Sequence, residues 1–139
     1  MIFNKEDKFV LVKIFKTYLD NFDIYDKEQI MNLFKNIFIK VKKKYNLSGL
    51  FDVDIYVNED YGMIIELRNV YFYDNECDIK IKVHLDSIFL MEVFNYEILD
   101  YDDVYYYKDK FYTSYNENND KIVIYKNSDK IINNGIKIY

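Results

Sequence analysis

Apolar residues recur along this chain with two periods, and the switch from one to the other falls near residue 49. Up to that point the spacing is helical. Leu11, Phe15, Tyr18 and Phe22 lie four, three and four positions apart, one stripe of an amphipathic helix over residues 4–22. Asn4 is placed to cap it, with Glu6 and Asp7 in the first turn opposite the positive end of the dipole. Phe9–Val12 is β-prone and pulls against that reading. A second helix is announced by the capping box Asp26-Lys27-Glu28-Gln29, continues through the stripe Ile30, Phe34, Ile37, Val41 and Tyr45, and stops at Asn46-Leu47-Ser48-Gly49. Lys42, Lys43 and Lys44 sit in its last turn, where cations complement the negative end of the dipole.

From residue 50 the period is two. Phe51, Val53, Ile55 and Val57 alternate with Asp52, Asp54 and Tyr56, and the turn Asn58-Glu59-Asp60-Tyr61-Gly62 returns the chain through Met63, Ile65 and Leu67. After a turn at Asp74-Asn75-Glu76, Ile79, Ile81, Val83 and Leu85 alternate with Lys80, Lys82 and His84. Ile88–Phe94, Val104–Tyr107, Lys110–Tyr115 and Lys121–Lys126 read as further strands joined by polar turns such as Lys108-Asp109 and Asn116–Asp120. Asn134-Gly135, between Ile131-Ile132 and Ile136–Ile138, predicts a two-residue hairpin. The expectation is a single α+β domain over residues 1–139. A helical hairpin (1–49) packs on one twisted antiparallel sheet of about six to eight strands in meander order (50–139).

Composition sharpens this picture. Half of the 139 residues are hydrophobic, enough to build one core rather than stay disordered. Sixteen Tyr, eleven Phe, no Pro, no Trp and a single Arg among the bases follow A/T-rich codons, as in a low-GC bacterium or a mobile element. The number of tyrosines is therefore weak evidence and their placement carries more. A net charge of −5 disfavours general attraction to phosphate backbones, so no direct nucleic-acid binding is expected. No apolar run approaches the length of a membrane span and the start MIFNKEDK has acids where a signal peptide would be basic and then apolar, so the expected location is the cytoplasm. Charge is also unevenly shared, +4 over residues 1–49 and −9 over residues 50–139.

Catalytic raw material is thin, and no catalytic residue and no cofactor is assigned. Cys77 and His84 on one strand would lie roughly 23 Å apart at about 3.3 Å per residue, too far for a dyad. His84 falls on the polar phase of its strand and reads as a surface residue. Cys and His are too few for a structural zinc site within one chain. Pairing Val57 with Met63 sets Asp54 opposite Glu66 and Asp52 opposite Arg68, so three carboxylates surround the only Arg. Asp52, Asp54 and Glu66 are thus weak metal candidates. Asp54…Glu66-Leu67-Arg68 is faintly similar to the Asp…Glu-x-Lys metal motif of a nuclease superfamily. Arg in place of the Lys favours a salt-bridged face over a metal.

The remaining feature is residues 86–115. Asp86, Glu92, Glu97, Asp100, Asp102 and Asp103 precede Tyr107 without one Lys or Arg among them. Alternation sends Tyr105 and Tyr107 to one face of their strand and Tyr106 to the other, with Tyr101 and Tyr112 nearby. The sequence points to a non-catalytic regulator, inhibitor or immunity-type protein that holds a protein partner with a basic surface. Asp100, Tyr101, Asp102, Asp103, Tyr105, Tyr106, Tyr107 and Tyr112 are the expected contact residues. Two other readings compete: a curved sheet enclosing a small apolar ligand, and an acidic mimic of nucleic acid that blocks another protein's groove. The terminal ribbon 131–139 leaves open a homodimer.

Overall fold

A computed structural model describes residues 1–6, 9–70, 79–115, 123–126 and 128–137. Cys77, the turn 74–76, the turn 116–120 and the ends of two expected strands (121–122 and 138–139) lie outside the described residues. Two compact units make up the chain, Met1–Leu85 and Asp86–Tyr139.

In the N-terminal unit five strands form one sheet: β1 (Ile2–Glu6), β2 (Phe9–Phe15), β3 (Leu50–Asn58), β4 (Gly62–Val70) and β5 (Ile79–His84), in the order β1-β2-β4-β3-β5. The helix α1 (Lys27–Tyr45) precedes β3. The expected first helix is the correction here. Within that range Asn4–Glu6 belong to β1, Phe9–Phe15 form β2 paired with it, and Lys16–Leu19 make a short 3-10 turn. Val10, Val12 and Ile14 decide it, because β-branched residues at every second position lose little on a pleated strand and bury one face completely. The Leu11/Phe15/Tyr18/Phe22 stripe competed with that alternation and lost.

α1 forms as the pattern predicts. The Asp26 carboxylate accepts from the Glu28 and Gln29 amides, and Asn46 closes the far end in the left-handed region. Ile30, Phe34, Ile37 and Val41 pack on Val10, Val12, Ile14, Phe51, Val53, Ile55, Val57, Met63, Ile65 and Leu67. A fully buried side chain of this size contributes about 1.5–3 kcal/mol.

The meander order is a second correction. β3 and β4 form the expected hairpin, but β2 occupies the other edge of β4, so β5 lies beyond β3 and runs parallel to it. The single sheet of about six to eight strands is likewise replaced by two of five.

The C-terminal unit holds the second sheet: β6 (Leu90–Val93), β7 (Val104–Tyr107), β8 (Lys110–Ser114), β9 (Val123–Ile124) and β10 (Ile136–Lys137), in the order β10-β7-β8-β6-β9. β7 and β8 are joined by Lys108 and Asp109, both at positive φ (47° and 65°), the conformation that matches strand twist in two-residue hairpins. A 3-10 segment, Asn95–Asp100, separates β6 from β7. Asn134-Gly135 does not make a hairpin. Residues Ser128–Asn134 are helix α2, the Gly135 amide bonds the Ile131 carbonyl at 2.8 Å, and β10 then pairs with β7. The helix is tied down by Ser128, whose buried hydroxyl donates to the Ile88 carbonyl at 2.7 Å.

Of the two glycines in the N-terminal unit, Gly62 is the one pressed against backbone. It has φ +124°, and a Cβ there would stand 2.2 Å from the Ile14 carbonyl oxygen. Gly62→Ala combines a disfavoured φ with a backbone clash and is expected to cost more than about 2 kcal/mol, read as the urea midpoint. A loss below about 0.5 kcal/mol would contradict this placement of Gly62 against β2.

Candidate functional site

Two groups of side chains carry chemistry, one in each unit. The first grows from the β3–β4 register, which pairs Asp54 with Glu66 and Asp52 with Arg68 as the alternation implies. One Asp54 oxygen accepts from Arg68 Nη2 at 2.9 Å and the other meets His84 Nε2 at 2.9 Å. Arg68 Nη1 donates to Glu66 Oε1 at 3.2 Å. The Tyr56 ring lies on the His84 ring, centroids 4.6 Å apart and planes nearly parallel at 11°. His84 reaches this group because parallel pairing sets it beside Tyr56. It is half-buried and engaged with Asp54, rather than a plain surface residue.

These residues lie on the face of the sheet away from α1, which alternation alone assigns to solvent. Ile64 and Glu66 on that face are nonetheless fully buried, at 0% exposure. A buried carboxylate needs charge and hydrogen bonds around it, and Arg68 supplies both. Burial pushes the Tyr56 hydroxyl above its usual 10.0. The Asp54 and Glu66 carboxylates push the same way and Arg68 opposes them. A small polar recess of about 50 Å³ beside the group is lined by Asp52, Asp54, Arg68, Lys80 and Lys82.

Among the described residues, no group of three or more His, Cys, Asp or Glu is placed to hold a metal ion. Of the three weak metal candidates, Asp54 and Glu66 turn to the Arg68 guanidinium and Asp52 lines the recess. An imidazole held by a carboxylate is the pair that general-base chemistry uses. The strand positions around it on that face carry Asp52, Tyr56, Ile64, Arg68, Lys80 and Lys82, with no hydroxyl or thiol nucleophile of the Ser, Thr or Cys type.

The second group is the acidic, tyrosine-rich stretch. Tyr105 and Tyr107 pack with Tyr112 on Leu90 and Ile131, one of the cores of the C-terminal unit. Tyr106 is on the opposite face, tilted against Phe111 at 5.2 Å, and its hydroxyl donates to Asp109 at 2.8 Å. That hydrogen bond holds the Tyr106 hydroxyl above its usual range. Lysines from elsewhere in the unit answer part of the acidic run. Glu92 meets Lys110 at 3.7 Å and Asp103 meets Lys137 at 3.3 Å, while Glu97 reaches back to the Phe94 amide. Asp100 and Asp102 are exposed, with half-buried Tyr101 between them.

Beside these acids stand three side chains that the pattern of strands did not single out. Phe94, Tyr96 and Leu99 are 60%, 79% and 82% exposed, and the Phe94 and Tyr96 rings stack at 5.5 Å. The available signal was the break in alternation at Phe94–Leu99, where apolar residues continue but the strand does not. Comparison with protein-family models, with curated proteins and with solved structures finds no match.

Two measurements follow from the first group. Arg68→Met leaves Asp54 and buried Glu66 without their guanidinium and is expected to cost about 1–3 kcal/mol, with partial recovery when Glu66→Gln is added. Equal stability of Arg68→Met and a control such as Lys82→Met would remove the network. The raised Tyr56 value means that the folded state holds the proton more tightly than the unfolded chain. Its stabilisation is therefore fully present below about pH 10 and is lost as pH rises through the folded value. Tyr56→Phe should make the alkaline fall in urea midpoint shallower than in the parent chain, and an identical slope would contradict the shift.

Proposed function

We propose that the chain is a non-catalytic protein-interaction module of the regulator, inhibitor or immunity type, which holds a partner through residues 94–102. The observation that carries this is the exposed trio Phe94, Tyr96 and Leu99. Single apolar residues on a surface are ordinary, whereas three large ones within six positions, two of them stacked, resemble the aromatic anchors of interfaces. Asp100 and Asp102 stand next to them, and an acidic rim favours a partner whose groove is apolar with basic edges.

This reading keeps Asp100, Tyr101 and Asp102 from the expected contact set. Asp103 is engaged by Lys137, and Tyr105, Tyr107 and Tyr112 serve the core of the unit. Tyr106, half-buried beside Phe111, stays a neighbouring candidate. The satisfied Asp54–Arg68–Glu66–His84 group supports a structural role for the N-terminal unit's charges and so favours binding over catalysis. Action in the cytoplasm belongs to the same proposal. Among the described residues, no helix is long and apolar enough to cross a membrane.

The test is affinity capture from the native host, repeated with a Phe94→Ser/Tyr96→Ser/Leu99→Ser chain. At such exposure each change should alter stability by no more than about 0.5 kcal/mol. The captured protein should be lost by the triple variant and weakened by Asp100→Asn/Asp102→Asn, more so at low salt. Retention by the folded triple variant would refute this contact surface.

A further inference from the structure

The C-terminal unit is acidic, with ten acids and six lysines over residues 86–139, yet four of those six lysines line one recess. Lys108 comes from the β7–β8 turn, Lys110 from β8, Lys126 from the residues after β9 and Lys130 from α2. All four are exposed. The recess measures about 430 Å³, and its apolar wall is Tyr107, Tyr112, Ile124 and Ile131. Such a volume lies within the range of small-molecule sites, roughly 300–1,000 Å³.

Four ammonium groups around one opening repel each other and together draw anions to it. Lys110 reaches Glu92 at 3.7 Å, Lys108 lies over the Tyr107 ring at 5.3 Å and Lys126 lies 6.0 Å from the Tyr125 ring. A single carboxylate would neutralise one of the four. A phosphate chain carries several charges on adjacent oxygens, and lysine serves it as a point charge. The wall of tyrosine and isoleucine asks for a flat apolar body as well, since bases stack on aromatic side chains. The chain's net negative charge governs long-range attraction, while the local set of lysines governs this opening.

We propose that this recess binds a nucleoside phosphate, its phosphates at Lys108, Lys110, Lys126 and Lys130 and its base against half-buried Tyr107 and Ile124. The recess shares no lining residue with the contact surface at residues 94–102, so either proposal can fail without the other.

Titration calorimetry on the full chain at low salt, with ADP, UDP, adenosine and inorganic pyrophosphate as probes, tests it. At least one nucleotide should bind more tightly than both pyrophosphate and adenosine, because it engages rim and wall together. Its affinity should fall as salt is raised. Lys126→Glu/Lys130→Glu should weaken it by about tenfold or more, and Lys108→Glu, changed in a different element, should weaken it too. Unchanged affinity in those folded variants would overturn the proposal. So would nucleotides that bind no better than pyrophosphate, or none that bind at all.

Discussion

The register between β3 and β4 is the constraint on which the N-terminal unit depends. Asn58 fixes the turn by accepting from the Asp60 and Tyr61 amides, and Gly62 lets β4 start where β2 must pass within contact of it. A slip of one residue would send Phe51, Val53, Ile55 and Val57 to the wrong face and take α1's packing surface with them. The same slip would part Asp54 from Glu66 and Arg68. One local turn therefore sets both the apolar core on one face and the charged group on the other.

That charged group is costly to assemble, since Glu66 is fully buried and Asp54 nearly so. Its members meet their needs largely from one another: a guanidinium between two carboxylates and an imidazole on the remaining Asp54 oxygen. Groups committed in this way specify a structure more readily than they greet a ligand. In the C-terminal unit the balance differs. Tyr112 is buried and Tyr105 and Tyr107 are half-buried, while an apolar trio, two exposed acids and a set of lysines are turned to solvent. The proposed recognition surfaces accordingly lie there.

Much of this was legible in the sequence where one signal acted alone. The capping residues and apolar stripe of α1, the β3–β4 hairpin and its pairing of Asp54 with Glu66, and the Lys108-Asp109 turn all follow from local rules. The first strands were misread because Leu11, Phe15, Tyr18 and Phe22 imitate a helix while Val10, Val12 and Ile14 imitate nothing but a strand. His84 was misjudged for a different reason. Its place beside Asp54 depends on β5 lying parallel beyond β3, a long-range choice forced by β2 at the edge of β4, and no local pattern around residue 84 encodes it. Asn134-Gly135 shows the limit of a turn motif, since the same pair ends a helix when Ser128 anchors its start.

Asp54 is the hub at which these threads meet, thirty residues from His84 in sequence and 2.9 Å from it in space. The most direct measurement is a double-mutant cycle of Asp54→Asn and His84→Gln on unfolding free energy in urea. A coupling of about 0.5 kcal/mol or more is predicted, as for residues in contact. Strict additivity of the two changes would contradict the parallel placement of β5 and the account of the N-terminal unit built on it.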